Sequence, residues 1–228
     1  MARSAVDDGI RVVAATPHVR EDYPTGTAEM ERGVEELRQA LADEGLRLDV
    51  RTGGEIALDR LGMLDADELA RFGLAGNRGY LLVEFPYYGW PLDLGMRVLG
   101  LRERGITTIL AHPERNAEVQ AAPERLAPLV DEGMLVQVTA ASLDGRLGRA
   151  THRTAFRLLE LQLAHLVASD AHAPDVRAVG MSAAVGAIRD DALSRWLSVE
   201  VPAAIVANEA LPPRPPSRRK RLGWLSRT

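Results

Sequence analysis

Apolar residues recur along this chain in two alternating rhythms. The run IRVVAA, from Ile10, is short, continuous and rich in β-branched residues, which predicts a buried strand. Met30, Val34, Leu37 and Leu41 then follow at spacings of four, three and four, one face of a helix that Gly45 ends. Between the two, residues 16–26 read as a loop punctuated by Pro17, Pro24 and Gly26. The alternation then repeats. Strand-like runs cover 46–51, 80–85, 106–110, 134–138 and 163–168. Helical spacing covers 64–71, then Leu92, Met96 and Leu99, then Leu126, Leu129 and Val130, then 154–161, with two more stretches to about Glu200. Residues 1–9 read as the end of a helix stopped by Gly9. Six strands alternating with helices predict an α/β domain, its sheet mainly parallel and its helices outside.

Composition narrows the chemistry. The chain has 228 residues, enough for one large core or two small ones. It has no cysteine, which excludes disulfides, zinc–thiolate sites and a cysteinyl-phosphate intermediate. Neither a secretory signal nor a membrane-length apolar run is visible, so the expected location is cytoplasmic. From Leu211 the sequence turns to PPRPPSRRKRLGW, and residues 211–228 carry a charge of +6, leaving −10 on the rest. An acidic body argues against a nucleic-acid binder. We therefore divide the chain into a domain over 1–208 and a Pro/Arg-rich flexible tail over 209–228. The tail's basic cluster, with Trp224 and Leu225 as anchors, suits an acidic membrane surface or partner. A solvated tail without function is the simpler reading.

Six acids and histidines each stand just past a strand-like run. His18 follows IRVVAATP, Glu55 follows LDVRTGG, Glu84 follows YLLV, His112 follows ITTILA, and Asp170 and His172 follow LAHLVAS. In a (β/α) barrel such positions converge on one mouth. Oxygen and imidazole ligands without sulfur suit Mn²⁺, Fe²⁺ or Zn²⁺, which bind phosphoryl oxygens and acidify water. Arg115 beside His112 and Arg177 beyond His172 supply forks for phosphate. Singly, each residue has a plainer use: a helix N-terminal acid, a turn former, a surface histidine. His152 reads as a solvated helix start and His165 as a core histidine. EFPYYGWP, over 84–91, reads equally as a wall for an aromatic substrate or a plug over the barrel end.

ATPH (15–18), GGEI (53–56), VEFP (83–86), AHPERN (111–116), VTAASLDGRLG (138–148) and ASDAH (168–172) occur in an order that resembles one family. It is the bacterial PHP-domain tyrosine phosphatases of capsular and exopolysaccharide synthesis, the CpsB/YwqE type. The resemblance runs to about Asn208. It implies a distorted (β/α)₇ PHP barrel that uses up to three metals, commonly Mn²⁺, to hydrolyse phosphotyrosine. It implies that His18, Glu55, Glu84, His112, Asp170 and His172 are metal ligands, with Glu55 bridging, and that Arg115 and Arg177 bind phosphate. The implied substrate is a tyrosine kinase of polysaccharide synthesis, and members of the family associate into homo-oligomers. One departure stands out. The family opens with a strand bearing Asp-x-His-x-His, which this chain lacks. The expectation is a barrel missing its first strand, with Met1 an internal methionine of a chain longer by on the order of 20–30 residues. Two other readings compete: a PHP phosphoesterase for a small phosphate monoester, and a catalytically impaired partner-binding module.

Overall fold

A computed structural model describes residues 1–174 and 176–216. The first half runs α1 (Ala2–Asp7), β1 (Val12–Ala14), β2 (His18–Arg20), β3 (Tyr23–Pro24), α2 (Thr27–Asp43), β4 (Asp49–Arg51), β5 (Glu55–Ala57), α3 (Ala66–Arg71), β6 (Tyr80–Glu84), α4 (Leu94–Glu103) and β7 (Thr107–Ala111). The second runs α5 (Ala117–Ala121), α6 (Ala127–Asp131), β8 (Leu135–Thr139), α7 (Ala140–Leu143), α8 (Arg149–Glu160), β9 (Leu166–Ala168), α9 (Ser182–Gly186), α10 (Asp191–Arg195) and α11 (Val201–Ala207). The architecture is α/β around a mixed sheet of order β3-β2-β5-β6-β7-β8-β9, parallel except for β3. β6 to β8 are buried along nearly their whole length, which is why they read as unbroken apolar runs.

β1 and β4 form a separate parallel pair. Each is the first half of a broken strand: β1 leads into β2, and β4 into β5. Ala15 N–H donates to Arg51 O at 2.9 Å and Glu55 N–H to Pro17 O at 3.0 Å, bridging the breaks. Gly54 is required at the second break, because a Cβ there would meet the Phe72 ring at 2.6 Å. The break aims Glu55 inward.

Several expectations are corrected. Residues 16–26 are not a plain loop but hold the hairpin β2–β3. β1 is half-exposed rather than buried, because among the described residues it pairs only with β4. On α4 the buried face is Leu94, Val98 and Leu101, while Leu92, Met96 and Leu99 face outward, Leu92 preceding the helix altogether. A third helical stretch, α11, carries the chain past Glu200 to Ala207. The stretch after Asn208 is not free at its start. Arg214 donates to the carbonyls of Ala164 at 2.5 Å and of Leu159 and Gln162 at 3.4 Å, and lies 5.0 Å from the centre of the Trp196 ring. Trp196 Nε1–H donates to Pro212 O at 3.0 Å. Leu159 lies in the last turn of α8, and an arginine at that carbonyl is a favourable helix C-terminal contact. Arg218, Arg219, Lys220, Arg221, Trp224 and Leu225 lie outside the described residues.

Candidate metal centre

Parallel register builds the site. His18 opens β2 directly opposite Glu55, which opens β5. Ala57 of β5 stands opposite Glu84, the last residue of β6. His112 follows β7. The three strand pairings thus deliver four of the six candidates to one spot. His112 Nε2 lies 2.6 Å from Glu55 Oε1 and 4.0 Å from Glu84 Oε2. His18 Nδ1 lies 3.4 Å from Glu84 Oε1 and 4.0 Å from Glu55 Oε2. Glu55, Glu84 and His112 are buried, and His18 partly so.

The fifth candidate comes from beyond β9. Asp170 Oδ2 accepts from Arg177 at 2.5 Å and Arg115 at 3.1 Å, so one carboxylate oxygen holds both guanidiniums. His172 stays at the rim. Its Nδ1 meets Asp170 O at 3.0 Å and its ring stands 5.7 Å from that of His18. His112, Asp170 and Arg177 all have left-handed backbones, with φ of 36°, 49° and 50°. Such conformations are uncommon outside glycine and gather at functional sites.

Donor atoms of His18, Glu55 and Glu84 lie within 4.8 Å of one another, as do those of Glu55, His112 and Asp170. Glu55 belongs to both groups. The His18 Nδ1 atom is buried without a hydrogen-bond partner among the described residues. An unsatisfied imidazole facing two buried carboxylates fits a divalent cation. The Glu84 carboxylate draws the His18 pKa upward against burial. Burial opposes the charged form of His112, but the Glu55 carboxylate beneath it, with Asp170 and Glu114, carries its pKa upward. Burial pushes Glu84 up, yet His18, His112 and Arg20 together hold it below the usual carboxylate range.

The aromatic loop divides between its two readings. Phe85 and Trp90 pack edge to face at 6.2 Å, as a plug, with Arg125 over Trp90 at 4.2 Å. Tyr87 leans over the site, its ring 6.3 Å from that of His112, with Arg115 4.7 Å from its centre. Asn116 ties this loop to the AHPERN turn. Its amide nitrogen donates to Pro86 O at 2.6 Å and Gly89 O at 3.0 Å, while its oxygen caps α5 by accepting from the Glu118 and Val119 N–H groups. Sequence reasoning missed three residues. Arg20 reaches Glu84 at 3.4 Å. Tyr23 lies 5.9 Å from the His18 ring. Glu114, fully buried, accepts from Thr139 N–H at 2.8 Å and Ser142 Oγ–H at 2.6 Å. Only the AHPERN string, where Glu114 sits two residues from His112, carried any signal for them. His152 lies in the first turn of α8, as expected, but is half-buried rather than solvated, meeting Ser142 O at 3.1 Å. His165 is a satisfied core histidine: its Nδ1 accepts from Val136 N–H at 3.1 Å.

Comparison with known proteins places the chain in a family. The family described as "Capsular polysaccharide synthesis, CpsB/CapC" matches residues 1–199. Tyrosine-protein phosphatase YwqE of Bacillus subtilis is 33% identical over 231 residues, covering 98% of this chain and 90% of its own. Tyrosine-protein phosphatase CpsB of Streptococcus pneumoniae is 28% identical over 180 residues, covering 74% of this chain and 72% of its own. A crystal structure from work on YwqE and CpsB, described as metal-dependent tyrosine phosphatases, superposes with a TM-score of 0.85 at 31% identity, over 96% of this chain and 90% of that one.

Proposed function

This chain belongs to the CpsB/CapC capsular polysaccharide synthesis family, and from that premise we propose that it is a metal-dependent protein-tyrosine phosphatase. The observation that carries the reading is the pair of donor groups sharing Glu55 beside a carboxylate, Asp170, that holds two arginines. His18, Glu55, Glu84, His112 and Asp170 would hold the metal, Glu55 being common to both donor groups. His172 would join through Nε2, since Nδ1 is engaged with Asp170 O. Mn²⁺ is the proposed ion, with Fe or Zn as substitutes. Divalent ions, when bound, supply Lewis acidity towards phosphoryl oxygens and acidify water.

The chain's own residues do the rest. Arg115 and Arg177 bind the non-bridging phosphoryl oxygens and stabilise the charge that builds on them as water adds to phosphorus and the bond to the tyrosine oxygen breaks. Asp170 keeps both forks aimed at one point, which is a positional contribution to catalysis. Tyr87 and the Phe85–Trp90 plug limit water around them.

The sheet is that of a distorted (β/α)₇ PHP barrel, a reading supported by the parallel order β2-β5-β6-β7-β8-β9, along which the cluster residues gather. Residues 1–208 form the catalytic unit, Pro212 and Arg214 pack against it, and the basic sequence from Arg218 onward suits an acidic membrane surface or partner. The substrate is a cytoplasmic tyrosine kinase of polysaccharide synthesis. No helix among the described residues is long and apolar enough to cross a membrane. The outward Leu92, Met96 and Leu99 on and before α4 support self-association. The test is hydrolysis of a phosphotyrosyl peptide with and without Mn²⁺, in competition with small phosphate monoesters. EDTA should abolish turnover and thiol reagents leave it unchanged. Small esters preferred by orders of magnitude in kcat/KM would sink the tyrosine reading.

A further inference from the structure

Two tyrosines beside the cluster touch no reacting atom in the chemistry above, where Tyr87 serves only to limit water. Tyr87 comes from the loop after β6 and stands against His112 and Arg115. Tyr23 comes from β3 and stands against His18. His18 and His112 approach different oxygens of Glu84, at 3.4 Å and 4.0 Å, so each phenol ring stands against a different histidine of the one cluster. Both remain open, Tyr87 at 40% exposure and Tyr23 at 60%. Tyr87 is nevertheless held in place, by Arg115 against its ring and by the two bonds from Asn116 that pin its loop. A fixed aromatic ring exposed beside a polar pocket is poised to receive another ring, at the 4.5–7 Å centroid spacing that such pairs favour.

We propose that Tyr23 and Tyr87 form a ring clamp that selects aryl over alkyl phosphate monoesters. The inference rests on the phosphatase reading. With its phosphoryl group over Arg115 and Arg177, an aryl ester projects its ring outward between the two tyrosines. A phosphoserine or sugar phosphate puts no ring there and gains nothing from them. The clamp thus names the residues by which phosphotyrosine is told from other monoesters. Tyr88, at 83% exposure, is the natural control, since it shares the loop without facing the cluster rings.

The test uses two ligands that cannot be hydrolysed, phenylphosphonate and methylphosphonate, titrated calorimetrically into the manganese-loaded full chain. The wild type should prefer the phenyl ligand by roughly tenfold or more. Tyr23→Ala and Tyr87→Ala should each reduce that preference by roughly three- to tenfold, Tyr23→Phe and Tyr87→Phe should restore it, and Tyr88→Ala should leave it as in the wild type. The preference is a ratio within one preparation, so metal occupancy and folded fraction cancel. A Tyr87→Ala effect acting only through a loosened Arg115 would weaken both ligands alike, and together with an unchanged ratio in Tyr23→Ala it would overturn the clamp. A wild type with no phenyl preference would overturn it too. Turnover of phosphotyrosyl peptide, measured separately, decides the phosphatase reading on its own.

Discussion

Each buried carboxylate of the cluster faces an imidazole and favours that imidazole's protonated form, with which a cation would compete. His18 and His112 both have raised pKa values, through Glu84 and, against burial, through Glu55. A metal requires them neutral, so loading must release protons and affinity must rise with pH until those raised values are passed. Calorimetric titration of Mn²⁺ at pH 7 in buffers of different ionisation enthalpy should therefore give buffer-dependent heats, and identical heats would refute the ligand roles. His112→Ala removes a donor shared with Glu55 and should lower metal-dependent turnover by roughly 100-fold or more, a loss at or beyond the range seen for outer partners of a metal site. Wild-type rates from that variant would sink the assignment. The polar residues of this cluster were legible in the sequence because parallel strands repeat one position: residues just past an apolar run reach the same mouth. Arg20 and Tyr23 were not, because they lie on a hairpin whose Pro17, Pro24 and Gly26 read as loop. Glu114 was hidden differently. Nothing local says that its carboxylate crosses to the Thr139 N–H at the end of β8 and the Ser142 hydroxyl in α7, 25 and 28 residues away.

Those long-range bonds make the AHPERN turn an element in its own right, a clasp between β7, the aromatic loop and the end of β8. Glu114 fastens one side and Asn116 the other. Burial pushes the Glu114 carboxyl up, with the Ser142 hydroxyl and Thr139 amide pulling the other way. Glu114→Ala leaves that N–H and hydroxyl buried without their acceptor, which should cost about 2–3 kcal/mol in urea unfolding, while Glu114→Gln keeps an acceptor and should lose about 1 kcal/mol or less. Equal losses would show that the side chain's volume, not its oxygen, matters. Asn116→Asp separates two functions of one residue. The carboxylate still caps α5 but cannot donate to Pro86 and Gly89. Helix stability should hold while the Tyr87 loop loosens, read as faster amide exchange over residues 85–90 with no change over α5. Element type along the chain followed from periodicity, but the phase of α4 did not. Leu92, Met96 and Leu99 match a helical stripe as well as Leu94, Val98 and Leu101 do, and only packing against the sheet decides which face turns inward.

The whole molecule is closed by its C-terminal stretch, and that closure is tied to a histidine far from the cluster. His165 accepts from Val136 N–H through an unprotonated Nδ1, and Arg214, strapped across the end of α8 and onto Trp196, adds a positive charge nearby. Burial first, and Arg214 second, lower the His165 pKa to about 4, against 6.5 in an open chain. The sign follows directly. Between those two values the unfolded chain binds a proton that the folded one refuses, so stability is intact above pH 6.5 and falls as the pH drops towards 4. Integrated over that window, the loss from this one group between pH 7 and pH 5 is about 2 kcal/mol. His165→Asn keeps an acceptor for Val136 N–H but cannot take up a proton. Its urea midpoint should therefore fall less than the wild type's over the same interval, while Glu84, whose depressed pKa acts in the same direction, contributes equally to both proteins. Arg214→Ala should release Pro212 and Trp196, destabilise the fold at pH 7, and flatten the acid loss as the His165 pKa climbs back. Parallel pH profiles for all three proteins would mean that His165 titrates normally.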